Sequence, residues 1–272
     1  MKVGVFQFAP EFGEKEKNLK RIEDATLQTD ADVVVLPELC CTGYQFVSQE
    51  EVESLCEPIP QGSTVQRFID IARRRNLHIV AGLGEKAGGV FYNSAVLVGP
   101  RGFIGKYRKV HLFWDEHDWF QPGDMGYRVW DIGPAKIGLM ICYDWIYPEA
   151  ARSLALQGAD IICMSTNLVL PYCQDAMITR SIENRVFTVT ANRIGSEERG
   201  GKNKLTFTGG SQIVDPQGVI LFRLGKQVES IQEVEIDPNR ARDKQITPRN
   251  HLWKDFRPDQ YFKESLEDIT TR

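Results

Sequence analysis

Apolar residues along the first part of the chain either alternate with polar ones or gather in short runs, which predicts strands and helices in alternation. Residues 2–9 alternate as a strand does, and residues 32–37 (DVVVLP) form the β-branched run of a strand buried on both faces. Between them, residues 14–29 place apolar side chains at helical spacing among charged ones. The helical spacing returns after Ser63, and another apolar strand, LHIVAGLGE, follows it.

The rest of the chain adds hairpin-like segments to this alternation. Residues 93–109 and 211–224 each form two strand-like runs around a turn that contains Pro and Gly. Strands are expected at residues 136–142, 159–166 and 185–194, and helices at residues 148–157 and 172–186. We therefore expect an α/β fold in which helices cover mixed sheets, with more antiparallel pairing than a doubly wound fold contains. The pattern continues as a single domain through about Pro238.

Composition and charge exclude several classes of function. The 272 residues are 42% hydrophobic, with a formal net charge of −4, so nothing predicts binding to nucleic acid or to an anionic membrane surface. The apolar runs are far shorter than the roughly 20 residues of a membrane helix. The first residues, MKVGVFQFAP, lack the apolar segment and cleavage site of a signal peptide, so a cytoplasmic location is expected.

The chain contains six cysteines and four histidines. No pair of cysteines forms a C-x-x-C motif, and no H-x-x-x-H motif is present. In a chain of this length without an export signal, reduced thiols are a better interpretation than disulfides. We expect no structural metal site.

Three residues stand out by their position. Cys142 ends an apolar strand just before a helix, at the sheet edge where the active sites of α/β proteins form. The N-terminus of that helix favours the thiolate form of a nearby cysteine. On position alone, a nucleophile and an inert buried thiol are equally good interpretations. Glu38 follows a buried strand and is either a general base or an ion-pair partner. Lys109 ends a hairpin strand and is either solvated or able to hold an oxyanion.

One motif suggests nucleotide binding. Residues 82–87, GLGEKA, match the dinucleotide pattern G-x-G-x-x-A after a strand. A helix has to follow such a motif so that its N-terminus can hold the pyrophosphate. Here Gly88, Gly89 and a hairpin follow instead, so we interpret the segment as a loop without a nucleotide.

The segments around the three residues, and their order, resemble the nitrilase superfamily of carbon–nitrogen hydrolases. They are LPELCCTGY around Glu38, GKYRKVHLF around Lys109 and GLMICYDWIYPEAAR around Cys142. FQPGD, FYNSA, RSIENRVF and GGSQIVDPQG also resemble family segments, and the similarity extends from Met1 to about Pro238. The resemblance implies a four-layer α-β-β-α sandwich, in agreement with the mixed strand pattern.

The resemblance also implies a role for each residue. Cys142 is the nucleophile, Glu38 the general base and Lys109 the cation that stabilises the tetrahedral intermediate. Glu116 matches a second family glutamate, six residues before a Pro-Gly pair, although it is also interpretable as an ordinary loop carboxylate. The backbone N–H of Tyr143 completes the oxyanion hole. A thioester forms and is hydrolysed, and neither a metal nor an organic cofactor is implied.

The turn after the nucleophile, Cys-Tyr-Asp, is similar to that of amidases and carbamoylases, whereas Cys-Trp-Glu is more frequent in nitrilases. We therefore expect a small amide or N-carbamoyl substrate, with a small nitrile as the alternative, since the chain also resembles members that hydrolyse small nitriles. Aromatic residues are expected to form the pocket wall, together with one asparagine. The expected substrate contacts are Tyr44, Tyr143, Trp145 and Asn167, and Trp114 and Tyr147 are expected in the same wall.

Other interpretations stay open. A cysteine hydrolase of protease type would use His111 as its base, since His111 lies two residues after Lys109. A non-catalytic binding or scaffold protein could retain the same fold, and the same thioester could transfer its acyl group to an amine or alcohol.

The polar segment 239–272 contains Trp253, Phe256, Tyr261 and Phe262, more aromatic residues than plain disorder would have. We expect this segment to be an arm that packs on a partner subunit of a homodimer or a larger homo-oligomer. The alternative is a tail on its own domain.

Overall fold

Two six-stranded sheets organise the chain from Met1 to Arg242, and a second, smaller unit begins at Asp243. The computed structural model describes residues 1–261. The first sheet has the order β14-β1-β2-β3-β4-β5 and the second has the order β13-β12-β9-β8-β7-β6. The first contains β1 (Lys2–Gln7), β2 (Val33–Val35), β3 (His78–Ala87), β4 (Val90–Gly99), β5 (Gly102–Arg108) and β14 (Ser230–Glu235). The second contains β6 (Val129–Asp131), β7 (Lys136–Ile141), β8 (Ile161–Thr166), β9 (Phe187–Asn192), β12 (Gln212–Val214) and β13 (Ile220–Arg223).

Helices cover the two sheets. The helices of residues 1–261 are α1 (Lys15–Thr26), α2 (Gln49–Leu55), α3 (Ser63–Arg75), α4 (Glu116–Trp119), α5 (Pro148–Leu156), α6 (Cys173–Asn184) and α7 (Asn239–Arg242). Helix α3 packs on β4 and β5 of the first sheet, whereas α5 and α6 pack on β7 and β9 of the second. The sheets contact each other through β1 with β9, β3 with β8 and β4 with β7. This arrangement confirms the expected four-layer α-β-β-α sandwich with mixed sheets.

Each sheet contains three parallel strands, with antiparallel strands beside them. Strands β1, β2 and β3 are parallel in the first sheet, and β7, β8 and β9 are parallel in the second. The hairpin β4–β5 extends the first sheet, and β12 and β13 extend the second. A short two-stranded ribbon of β10 (Ser196–Glu197) and β11 (Leu205–Thr206) lies outside both sheets. The hairpins explain the antiparallel pattern that the sequence predicts.

The β-branched run 33–35 is completely buried, as a strand covered on both faces has to be. Leu19 and Ile22 of α1 and Phe68 of α3 lie in one apolar cluster with Val34. The apolar faces of these two helices therefore cover the first sheet at the strand that leads into Glu38.

The interpretation of residues 82–87 as a loop is wrong, because these residues belong to β3 and pair with β4. The structure also gives a reason for the first glycine of the motif. A Cβ atom on Gly82 would lie 2.4 Å from the Cα atom of Glu38. A glycine here lets β3 approach the segment that carries Glu38.

The smaller unit contains a hairpin of β15 (Gln245–Thr247) and β16 (Asn250–His251), followed by a 3-10 turn at Pro258–Gln260. Its aromatic rings pack on each other: the Trp253 and Phe256 ring centroids are 6.5 Å apart, and those of Phe256 and Tyr261 are 5.3 Å apart. Phe262 and the remainder of the expected arm lie outside the described residues. Within residues 1–261, the helices are all too short or too polar to cross a bilayer.

Candidate active site

Glu38 lies just beyond β2, with its side chain completely buried. Its Oε1 atom accepts two hydrogen bonds at 2.7 Å, from Asn93 Nδ2 and from Lys109 Nζ. Its Oε2 atom has no hydrogen-bond partner among residues 1–261. One carboxylate oxygen is thus fixed in place, and the other is able to accept a proton or a hydrogen bond from a ligand.

Lys109 follows β5 and places its ammonium between two carboxylates. Its Nζ atom donates to Glu38 Oε1 at 2.7 Å and to Glu116 Oε1 at 2.6 Å, and the side chain has no exposed surface. Burial acts to lower the pKa of Lys109, but the charges of Glu116 and Glu38 outweigh burial and raise the pKa above its ordinary value. The site therefore contains a permanently charged, fixed ammonium.

Glu116 is the first residue of α4 and is 3% exposed. Besides Lys109, it accepts a hydrogen bond of 2.8 Å from the Tyr44 hydroxyl. Burial raises the pKa of Glu116 to about 7; the Lys109 charge opposes this rise and the Glu38 charge adds to it. Two buried carboxylates share one ammonium, so the second of them holds its proton more tightly than an exposed glutamate does.

Cys142 is the first residue of a 3-10 turn, Cys142–Ile146, at the carboxyl end of β7. Its backbone has a φ of +41°, in a region that residues other than glycine seldom adopt. The buried Asp144 carboxylate holds this turn: its Oδ2 atom accepts from the Ile141 N–H at 3.0 Å and from the Tyr107 hydroxyl at 2.8 Å. The thiol is therefore aimed by a conformation that its neighbours stabilise.

The Cys142 thiol is buried beside the charged groups. Burial and the charge of Glu38 raise the pKa of Cys142 well above its usual value, whereas the Lys109 charge and a hydrogen bond from the Asn167 backbone act to lower it. The resting side chain is accordingly a neutral thiol, which needs a base to become a nucleophile.

Cys142 lines a small pocket. Three of the four expected substrate contacts, Tyr143, Trp145 and Asn167, line this pocket with it. Neither side-chain atom of Asn167 that can hydrogen-bond has a partner in the described part of the chain, although this residue is only 2% exposed. The fourth, Tyr44, lines a larger neighbouring pocket with Glu116.

His111 lies on another side of the nucleophile turn. Its Nδ1 atom is 2.8 Å from Asp144 Oδ1, and its ring stacks on Tyr147 with centroids 3.6 Å apart. Both rings line a pocket that does not include Cys142. Tyr147 is thus not part of the pocket wall that contains the thiol, whereas Trp114 lines the larger pocket.

Several polar residues that support the site were not singled out from the sequence. Asn93 fixes Glu38, Asp144 holds the Cys142 turn, and the buried pair of Arg193 and Glu197 supports the chain at Tyr44. The feature of the sequence that indicates such residues is a polar residue within an apolar strand, as in FYNSAVLV and VFTVTANR. A buried polar residue needs a partner, but the sequence does not say which one.

Comparison with known proteins identifies the family to which the chain belongs. The family model described as "Carbon-nitrogen hydrolase" matches residues 2–245. The chain belongs to the carbon–nitrogen hydrolase family. A nitrilase of Pyrococcus abyssi (strain GE5 / Orsay) is 48% identical over 267 residues, which are 97% of this chain and 100% of that protein. An (R)-stereoselective amidase of Pseudomonas sp. is 37% identical over 89% of this chain and 87% of its own length.

Solved structures of the carbon–nitrogen hydrolase family share the fold. A carbon–nitrogen hydrolase from Helicobacter pylori G27 superposes with a TM-score of 0.86 at 28% identity, over 100% of this chain and 99% of that one. An amidase mutant from Nesterenkonia sp. AN1 superposes with a TM-score of 0.75 at 27% identity, over 90% of this chain and 96% of its own. That structure shows the result of Michael addition of acrylamide at the active-site cysteine. This chain is accordingly an enzyme, a carbon–nitrogen hydrolase of the amidase and nitrilase type.

Proposed function

We propose that this hydrolase cleaves a small primary amide to the carboxylic acid and ammonia, with Cys142 as nucleophile, Glu38 as general base and Lys109 as the oxyanion-binding cation. The observation that carries the proposal is the position of the Lys109 ammonium between two buried carboxylates, beside a neutral thiol. An unpartnered Glu38 oxygen is available for the thiol proton.

Acylation begins with proton transfer from the Cys142 thiol to Glu38. Sulfur then bonds to the amide carbon, and negative charge moves onto the carbonyl oxygen. Lys109 and the backbone N–H of Tyr143 stabilise this oxyanion, since the first N–H groups of a helical turn have no partner within the turn. The carbon–nitrogen bond breaks as Glu38 returns its proton to the leaving nitrogen, which departs as ammonia.

Deacylation repeats the same proton transfers with water. Glu38 takes a proton from water, and the hydroxide bonds to the thioester carbon. The carbon–sulfur bond then breaks, the acid leaves, and the proton on Glu38 returns to the Cys142 sulfur. Glu116 keeps Lys109 in place throughout, and Asn167, Trp145 and the Tyr143 side chain contact the substrate in the small pocket.

A nitrilase is the second candidate function, favoured by the 48% identity to the Pyrococcus abyssi nitrilase. The amidase of Pseudomonas sp. and the N-carbamoylputrescine amidase of Solanum lycopersicum, 37% and 31% identical, favour an amide or a carbamoyl group. The Cys-Tyr-Asp turn also supports the amide.

Butyramide and butyronitrile, matched in their carbon skeleton, separate the two candidates. We expect kcat/KM for ammonia release to be at least tenfold higher with the amide, and a mass increase on Cys142 in rapidly quenched samples. A higher value with the nitrile would identify a nitrilase instead. Ammonia release from neither compound, with no adduct on Cys142, would favour a binding or scaffold protein. An amine acceptor that diverts the product from acid to substituted amide would reveal acyl transfer.

We further infer that the enzyme acts as a homodimer or a larger homo-oligomer. Large apolar side chains are exposed near the nucleophile turn and on α5 and α6, as a subunit interface would require; they include Ile146, Tyr147, Leu156 and Ile182. The arm beyond the catalytic domain, residues 1–238, then begins at residue 239, and its described part, residues 239–261, packs on the partner. Light scattering should give at least twice the 30.9 kDa chain mass, and Leu156→Glu with Ile182→Glu should lower it.

A cytoplasmic location is the setting we propose for this chemistry. All six cysteines are free thiols, and the nucleophile has to remain reduced. Fractionation of the source cells, followed by immunoblotting, would test this location.

A further inference from the structure

A pocket of about 450 Å³ lies beside the small pocket that contains Cys142. Phe113 and Val169 line both pockets, so the two spaces meet at these side chains. The space at Cys142 itself is about 10 Å³, which is room for about one water molecule. Any larger part of a substrate therefore has to extend into the neighbouring pocket, whose volume is typical of small-molecule sites.

Aromatic side chains dominate the wall of this larger pocket. They are Tyr44, Phe46, Phe113, Trp114, Trp119 and Phe120. Such rings offer large apolar faces and edges on which another ring can stack. The wall thus favours an apolar and flat group over a compact polar one.

The charged residues of the pocket exclude one class of substrate. Asp115, Glu116 and Asp118 line the pocket, and Lys202 is the only lysine or arginine in the lining that the structure describes. The Lys202 ammonium is already occupied, with its Nζ atom 2.7 Å from Asp115 Oδ2 and 5.0 Å from the Trp119 ring centroid. A substrate carboxylate would find no free cation here and would face the carboxylate of Asp118.

We propose that this pocket binds the acyl side chain of the substrate, and that the preferred substrates are primary amides of uncharged arylalkyl carboxylic acids. The inference rests on the proposed amidase function and adds the substrate class to it. Amides that carry a second, ionised carboxylate are rejected because the pocket presents negative charge to them.

Trp114 is the part of this wall that substitution can test most directly. It precedes Glu116 by two residues, is 70% exposed, has a backbone φ of +51° and lines the pocket. Because so much of the ring is in solvent, its removal costs the fold little. Its loss removes one wall of the space for the acyl group.

The first experiment compares kcat/KM for acetamide, butyramide, 3-phenylpropionamide and succinamate. We expect kcat/KM to be at least tenfold higher for 3-phenylpropionamide than for acetamide, and at least tenfold higher for butyramide than for succinamate. Equal values for all four compounds, or a preference for acetamide or succinamate, would overturn the substrate class and leave the amidase function standing. Hydrolysis of none of them would refute the amidase function instead.

Substitutions at two residues of the pocket, Trp114 and Asp118, locate the preference there. Trp114→Ala should lower the ratio of kcat/KM for 3-phenylpropionamide to kcat/KM for acetamide at least fivefold. Trp114→Phe should restore most of this ratio. Asp118→Lys should raise the ratio of kcat/KM for succinamate to kcat/KM for butyramide at least fivefold. The control is the same charge change outside the pocket, Asp70→Lys in α3, which should leave this ratio unchanged. Unaltered ratios in both pocket variants would place the acyl group elsewhere.

Binding provides a measurement that does not need turnover. Calorimetry with the Cys142→Ala protein should detect 3-phenylpropionamide, with at least tenfold weaker binding to protein that also carries Trp114→Ala. Succinamate should bind at least tenfold more weakly than 3-phenylpropionamide. Equal affinities, or no binding of the aromatic amide, would contradict the proposal even if no amide is hydrolysed.

Discussion

The guanidinium of Arg193 and the carboxylate of Glu197 form a buried ion pair, with Nη1 2.5 Å from Oε1. Arg193 also donates from Nη2 to the Pro10 carbonyl at 3.0 Å. Glu197 accepts from the backbone N–H groups of Tyr44 and Gln45, at 3.1 and 2.6 Å. The pair thereby fixes the chain at Tyr44, whose hydroxyl donates to Glu116.

Glu197→Gln should weaken both the fold and the site. The substitution leaves the Arg193 charge buried without its carboxylate, which costs about 3 kcal/mol. It also loosens the chain that carries Tyr44, so we expect kcat/KM for butyramide to fall about tenfold. Denaturant unfolding and steady-state kinetics measure the two effects.

Glu229→Gln, at an exposed pair with Arg21, is the control and should change stability by less than about 1 kcal/mol. Equal effects of both substitutions would refute this account of the buried pair.

Substitutions of Lys109 and His111 should differ greatly in their effect. Lys109→Met removes the cation between Glu38 and Glu116, so the oxyanion loses its charged partner and turnover should fall by about 10³-fold or more. His111→Gln removes a ring that contacts Asp144 and Tyr147, and turnover should fall less than about tenfold.

Steady-state ammonia release is the measurement for these two variants, with melting temperatures recorded for both so that unfolded protein is recognised. A far greater loss in the His111 variant would assign the role of base to the histidine and refute the lysine assignment.

Glu116 should make stability depend on pH. Its pKa is about 7 in the folded protein against an ordinary value near 4.5, so the folded state keeps a proton that the unfolded state releases between these values. Stability therefore falls as the pH rises through this window, and the loss is complete above pH 7. At about 1.4 kcal/mol per pKa unit, the loss is about 3 kcal/mol.

Glu116→Gln has no carboxyl group to titrate and escapes this loss. Its melting temperature relative to the unsubstituted protein should therefore rise by several degrees between pH 5 and pH 8, as differential scanning calorimetry would show. A relative melting temperature that stays constant, or decreases with pH, would contradict the raised pKa.

Asp144→Asn tests the support of the nucleophile. One Asp144 oxygen accepts from both the Ile141 N–H and the Tyr107 hydroxyl, which stabilises the turn that gives Cys142 its positive φ. The other oxygen, Oδ1, accepts from the His111 backbone N–H at 3.3 Å. An amide group cannot accept at both ends as a carboxylate does, so the substitution loses the contacts of one end. We expect kcat for butyramide to fall at least tenfold and the rate of Cys142 alkylation by iodoacetamide to change with it. An unchanged alkylation rate with lowered kcat would separate Asp144 from the positioning of the thiol.

The hydrophobic pattern was sufficient to predict helices that cover mixed sheets, whereas the four-layer arrangement came from the resemblance to a family. Hydrophobic alternation and apolar runs mark the buried central strands locally, because burial on one face or on two leaves a distinct pattern. The short strand 33–35 and the hairpin 93–109 show this clearly. The more exposed strands β6 and β14 were not predicted. Residues 82–87 were misjudged because a glycine-rich segment is typical of loops, and the need for a close approach to Glu38 is visible only in three dimensions.

The candidate site was predictable only in part. No rule of spacing joins Glu38, Lys109 and Cys142 along the chain, so their association came from resemblance to a family. The contacts of Asn93 and Arg193 depend on which strands lie side by side, and a single sequence does not specify such distant pairs. Trp114 illustrates the same limit, since neither its backbone angle nor the pocket beside it is encoded in a local pattern.

Strand β1 pairs with β14, and the register joins Lys2 to Glu235. During synthesis, Lys2 therefore cannot pair with its antiparallel neighbour until more than two hundred further residues have left the ribosome. Throughout that interval β1 is an open sheet edge, the kind of surface that recruits strands from other chains. Premature termination before residue 230 would leave this edge permanently uncovered, so truncated products should aggregate even though Glu38, Lys109 and Cys142 are all present in them.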